Sequence, residues 1–71
     1  MSDHHTYKKV ELVGSSRTSI EDAIQNAITE CAKSVKNLEW FEVVETRGHI
    51  VSAKVAHYQV TVKIGFKIKN S

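Results

Sequence analysis

Few residues in this chain of 71 can do chemistry: one cysteine, four histidines, a small set of glutamates, one tryptophan and scattered cations. Cys31 falls among apolar residues at helical spacing, so it reads as a small buried hydrophobe rather than a nucleophile. A lone cysteine excludes an intrachain disulfide. His4, His5, His49 and His57 lack the compact spacing of metal ligands, so they read as solvent-exposed and no metal is expected. Glu39, Glu42 and Glu45 show no paired acid and base, and no catalytic residue is expected. What remains is recognition. Trp40 offers the widest aromatic surface, Arg47 a guanidinium, and Lys63, Lys67 and Lys69 a basic C-terminal run. Taken singly, each has a plain reading: Trp40 as interface or core filler, Arg47 as half of an ion pair with Glu45, and Gln59 as an ordinary strand residue.

The elements that would position these residues follow from periodicity. Thr6 to Val13 alternates as a first strand, and Gly14-Ser15-Ser16 is expected to break it. A helix is predicted from Ser19 to Lys36, with Ile20, Ala23, Ile24, Ala27, Ile28, Cys31, Val35 and Leu38 making one apolar stripe. Thr18 and Glu21 match a capping box, and Asn37 is the expected C-cap. Leu38 to Ile50 reads as a second strand and Val55 to Lys69 as a third, joined by a short turn. Strand–helix–strand–strand order makes strands one and two run the same way and strand three run against both. The expected fold is therefore α+β: a βαββ unit with an antiparallel sheet ordered 1-3-2 around one helix.

A two-residue loop at Ser52-Ala53 sets the faces. It sends Phe41 and Val43 toward the helix with Tyr58, Val60, Val62 and Ile64. It sends Trp40, Glu42, Val44 and Thr46 to the far side with Gln59, Thr61, Lys63 and Lys67. Strict alternation puts Arg47 on the helix side, unless a bulge near Gly48 frees it. Eighteen helical residues span about 27 Å and thirteen strand residues about 43 Å, so the sheet must overhang its helix.

A single small core stabilises a chain this short only marginally. With no disulfide and no metal set, oligomerisation is the expected compensation. The formal charge of +2 and a pI near 8.8 are too mild to argue nucleic acid alone. No apolar run could span a bilayer and the N-terminus does not resemble a secretory signal, which with the free cysteine fits a cytoplasmic protein. One domain covers residues 1–71, with 1–5 expected to be a flexible N-terminal segment.

The segments Tyr7-Lys8-Lys9-Val10-Glu11-Leu12-Val13-Gly14-Ser15-Ser16, Leu38-Glu39-Trp40-Phe41-Glu42-Val43, Thr46-Arg47-Gly48-His49-Ile50 and Tyr58-Gln59-Val60-Thr61-Val62-Lys63-Ile64-Gly65-Phe66 occur in an order and at a length that resemble the dodecins, small flavin-binding proteins, in their bacterial branch. The resemblance implies trimers assembled into a hollow homododecamer, with flavin pairs stacked between symmetry-related tryptophans at two-fold axes. Trp40 matches that tryptophan and Gln59 the glutamine that hydrogen-bonds the flavin ring. Arg47 matches a basic residue facing the FMN phosphate. Lys67 stands where relatives carry an arginine near that phosphate, although lysine offers a point charge rather than a fork. The implied ligand is FMN, with riboflavin as another flavin of the same kind. The implied role is storage or sequestration, not turnover. The C-terminal lysines read first as a solvated strand end, and as an alternative they suit a phosphate-bearing second ligand between subunits, such as coenzyme A.

These residue types suit the three parts of FMN: indole stacks on an electron-poor ring, an amide reads its polar edge, and a guanidinium grips a phosphate. Indole stacked on flavin would also quench its excited state, a photoprotective role. The competing reading is a small basic nucleic-acid-binding module built on Lys63, Lys67 and Lys69 with Trp40 or Tyr58 as stacking platforms. The expected core position of Tyr58 weakens it. A flavoenzyme is the third class, and it lacks a visible base or nucleophile.

Overall fold

The computed structural model describes residues 4–69, which form β1 (Tyr7–Ser16), α1 (Ile20–Ala32), β2 (Leu38–Val51) and β3 (Lys54–Lys67). The strands make one antiparallel sheet in the order β1-β3-β2. This is the βαββ topology expected from the order of elements. The expected flexible segment at residues 1–5 falls mostly on residues 1–3, which lie outside the described residues.

β1 runs three residues past its expected end, because Gly14, Ser15 and Ser16 still pair with Val60, Gln59 and Tyr58. Glycine serves close approach here, not a break. A Cβ at position 14 would overlap the carbonyl oxygen of Ala23 and crowd the Ala27 methyl, so its absence lets α1 settle on the sheet. Ser16 then organises the strand-to-helix turn. Its hydroxyl donates to Asp22 Oδ2 at 2.7 Å and accepts from the Thr18 and Ser19 N–H groups at 2.8 and 3.4 Å.

That network displaces the expected capping box. Ser19, with extended backbone, is the N-cap, and its hydroxyl accepts from the Asp22 N–H at 3.0 Å. The helix also stops at Ala32, four residues short of Lys36, with Lys33 as its C-cap. Asn37 does adopt the left-handed region (φ 64°), but at the entrance to β2 rather than at the helix end. Its carbonyl accepts from the Lys67 N–H at 3.1 Å. Val35 and Leu38 still pack on the core from this non-helical stretch, which is why their spacing resembles a continued helix.

The core is Ala23, Ala27 and Cys31 of α1 against Val60, Val62 and Ile64 of β3, flanked by Val10, Leu12, Ile24 and Ile28. Cys31 is buried as expected. Alanines at the contact allow the helix close to the central strand. Ile20, expected in the stripe, is instead 38% exposed, because it lies at the helix end beyond this contact. At about 20 Å long, α1 covers a minor part of a molecule 59 Å in its longest dimension. It packs on β1 and β3, and β2 lies at the margin of its reach. Phe41 and Val43 accordingly face the helix side without being covered by it, each 47% exposed. Tyr58 is likewise half-buried rather than in the core. It lines a groove of about 270 Å³ with Ile20, Thr46 and Val55 under the hairpin tip. The hairpin closes at Ser52 and Ala53, both with positive φ (53° and 63°), the two-residue turn whose twist matches that of its strands.

Candidate functional site

Three register irregularities interrupt the β2–β3 ladder, and the two between Trp40 and the turn decide which residues share the far face; the third, at Glu39, lies beyond Trp40. From the turn, Ile50 pairs with Val55, but His49 pairs with His57, so Ala56 is an extra residue on β3. Further along, Val43 pairs with Val62 and Glu45 with Thr61, so Val44 is an extra residue on β2. The two insertions, on opposite strands, cancel. Register is shifted by one between Glu45 and His49, then returns to the expected pairing from Val43 to Trp40. Arg47 therefore sits opposite Gln59 on the far face, and Thr46 sits opposite Val60 on the helix side. Both placements reverse the strict-alternation expectation, and Val44, expected on the far face, is the unpaired bulge residue.

Trp40 lies across the sheet. It pairs with Gly65, and a Cβ on that glycine would overlap the six-membered half of the indole. The ring therefore rests directly on the backbone of β3. Tyr7 of β1 meets it edge-on, with centroids 5.4 Å apart and planes at 70°. Its Nε1–H donates to Glu42 Oε2 at 2.9 Å, and Lys9 Nζ reaches the same oxygen at 3.0 Å. The Trp40 hydrogen bond, then that of Lys9 and the Lys9 and Lys63 charges, hold the Glu42 carboxyl below the ordinary glutamate range. The six-membered half of the indole is seated on Gly65, its Nε1 is tethered, and 38% of the residue stays exposed.

At the other end of the same face, Arg47 Nε donates to Gln59 Oε1 at 2.9 Å. Lys67 is two residues from Gly65 and pairs with Tyr7, so it lies at the Trp40 end. The four candidate residues thus form two groups, Trp40 with Lys67 and Arg47 with Gln59. Gly65 and Gln59 are six positions apart along β3, about 20 Å. The fold puts all four on one face, but no protomer brings the indole to the amide.

Three comparisons bear on this arrangement. The family profile described as Dodecin matches residues 6–69. A dodecin from Thermus thermophilus is 48% identical over 65 residues, covering 92% of this chain and 94% of the relative. The chain belongs to the dodecin family. Its backbone follows the dodecin of Streptomyces coelicolor with a TM-score of 0.91 at 40% identity, over 99% of this chain and 100% of that one. It follows the dodecin of Streptomyces davaonensis at 0.90 and 42%, over 97% and 100%. A homododecamer fits this family, which consists of small binding and storage proteins rather than enzymes.

Within this dodecin, the seat of the tryptophan is the part that residue-by-residue reading missed. Tyr7, Lys9, Glu42 and Gly65 all contribute to it. A signal exists for Gly65: counting back from the two-residue loop at Ser52-Ala53 puts this glycine opposite Trp40. The basic run is also less basic than it reads. Lys63 lies between Glu11 and Glu42 in the strand order, and Trp40 and Tyr58 stand on opposite faces. His49 and His57 pair across the strands, with ring centroids 5.5 Å apart. Among the described residues no three of His, Cys, Asp and Glu gather as a metal site, and no helix is long and apolar enough to cross a membrane.

Proposed function

We propose that this dodecin binds flavin, with FMN as the preferred form, and stores or sequesters it without turning it over. The observation that carries the reading is the indole of Trp40, seated against Gly65, tethered by Glu42, and still 38% exposed. A seated ring loses little conformational freedom when a planar heterocycle stacks on it, so the aromatic contact goes further toward affinity. Gln59 supplies hydrogen bonds to the polar edge of the ring, while Arg47 and Lys67 supply positive charge for the FMN phosphate. Riboflavin fits the ring contacts and lacks the phosphate ones.

The separation of Trp40 from Gln59 is the reason a second subunit is needed. Two copies related by a dyad can lay the indole of one near the amide of the other, doubling each group in a pocket no monomer contains. Such pockets, in a hollow homododecamer built from trimers, would hold flavins in pairs. Coenzyme A, or another phosphate-bearing ligand, would sit between subunits at the C-terminal lysines. The surroundings proposed for the protein are cytoplasmic.

Flavin titration followed by fluorescence tests the reading. The wild type is expected to quench FMN strongly and to release a yellow flavin on denaturation, whereas Trp40→Ala loses affinity and quenching even at saturation. A colourless protein that ignores FMN and instead binds nucleic acid with a steep salt dependence would replace this function with the basic-module reading. Quenching by a saturated Trp40→Phe variant equal to that of the wild type would remove photoprotection by indole electron donation.

A further inference from the structure

Arg47 and Gln59 are hydrogen-bonded directly to each other. Arg47 Nε donates to Gln59 Oε1 at 2.9 Å, from the position directly across the ladder. The direction of this bond is fixed by chemistry, since an arginine Nε–H can only donate and its partner must be the amide oxygen. The amide of Gln59 is thereby held in one of its two flipped orientations. Its NH2 group points away from Arg47, and one lone pair of the oxygen is already engaged.

We propose that Arg47 is a positioning residue for Gln59, setting which way its amide faces, in addition to any contact with a phosphate. The idea rests on the flavin-binding reading above and extends it to specificity. A locked amide presents two N–H donors, so it favours a ring edge carrying carbonyl acceptors. A free amide would present donor or acceptor with little preference and lose orientational entropy on binding. The fold supports this assignment. Val44 and Ala56 are both extra residues, and the shift they create spans the stretch from Glu45 to His49 that brings Arg47 onto the face of Gln59. With neither bulge, Arg47 would project to the helix side and leave the amide without this partner.

The two duties of Arg47 separate in a ligand without a phosphate. Riboflavin and FMN are titrated into the wild type, Arg47→Met, Arg47→Lys, Gln59→Ala and the Arg47→Met/Gln59→Ala double variant, with assembly of each checked by light scattering. Lysine has a methylene where arginine has its Nε–H, so it keeps the charge and loses the orienting bond. The expectation is that both Arg47 variants weaken riboflavin binding about fivefold, the size of one lost hydrogen bond. FMN binding weakens further in Arg47→Met than in Arg47→Lys. In the Gln59→Ala background, Arg47→Met no longer changes riboflavin affinity. Unchanged riboflavin binding in the Arg47 variants, with only FMN weakened, would confine Arg47 to the phosphate and overturn the proposal. So would an undiminished riboflavin effect after Gln59 is removed. A wild type that binds neither ligand would instead overturn the functional reading, and this proposal with it.

Discussion

Replacing Gly65 by alanine should unseat the tryptophan while leaving the fold almost unchanged. The added methyl would occupy the volume of the six-membered indole ring, and the ring has no room to sink because the backbone of β3 lies beneath it. Trp40 must therefore tilt off the sheet, losing its edge contact with Tyr7 and its bond to Glu42. The aromatic contact is worth about 0.5–1.5 kcal/mol when well buried, and the low end applies because Tyr7 and Trp40 are 43% and 38% exposed. Against this, glycine-to-alanine at a position with no positive φ stabilises by about 0.4–1 kcal/mol through the unfolded chain. The two roughly cancel, and loss of the exposed Glu42 bond tips the balance slightly toward destabilisation, so the thermal midpoint should fall by no more than a few degrees. Flavin affinity has no such offset. Losing a pre-seated stacking surface should weaken it by about tenfold, the equivalent of ~1.4 kcal/mol. Trp40 is the only tryptophan, so near-ultraviolet circular dichroism and indole emission report its position directly, before any flavin is added. A Gly65→Ala protein with the parent's indole spectra and the parent's flavin affinity would refute the claim that the ring rests on that glycine.

Two further outcomes follow from the same geometry. Glu42 has its folded pKa lowered, chiefly by the Trp40 hydrogen bond and then by Lys9. Its contribution is therefore complete above the ordinary glutamate range and is lost only as pH falls through the lowered folded value. The Trp40 circular dichroism signal should accordingly hold steady through mildly acidic pH, drop below the ordinary glutamate range, and show no such step in Glu42→Gln. Gly14→Ala should destabilise by about 1–3 kcal/mol in denaturant unfolding, because its methyl meets the Ala23 carbonyl oxygen and the Ala27 methyl and pushes α1 off the sheet.

The topology was legible because the strongest periodic signals belong to the elements that set it. Val60, Val62 and Ile64 alternate on the central strand, Ala23, Ala27 and Cys31 repeat on the helix, and together they are the buried core. The ends were less legible, for a physical reason visible at each. Thr18 and Ser19 are both capping types at the helix entry, and the Ser16 hydroxyl, bonded to Asp22 and to the Thr18 N–H, fixes the turn so that Ser19 caps. Val35 and Leu38 keep core contacts beyond the helix, so apolar spacing alone cannot show where the helical backbone stops. Gly14 breaks a strand by propensity and sustains one here, because what matters is the closeness of α1 rather than the preference of the residue.

The site was harder to read than the fold, and Arg47 shows why. A bulge changes no residue type; it adds one member to the count. If Val44 is skipped, strict alternation runs unbroken from Trp40 through Glu42, Glu45 and Arg47, and all four fall on the far face, as the ladder has them. Nothing in the composition of β2 marks Val44 as the residue to skip, because valine is as good a strand former as its neighbours. The information lies instead in the partner strand, where Ala56 carries the opposing insertion. Register is a property of two strands at once, so a reading of β2 alone assigns Arg47 to the wrong side of the sheet. The same pairing explains why Trp40 escaped the error. It lies beyond both insertions, where the shifts cancel, so the simple hairpin rule placed it opposite Gly65. The tryptophan end of the site was therefore readable from the turn and the arginine end was not. The two ends are about 20 Å apart along β3, so the proposed pocket needs a second copy of the chain to bring them together.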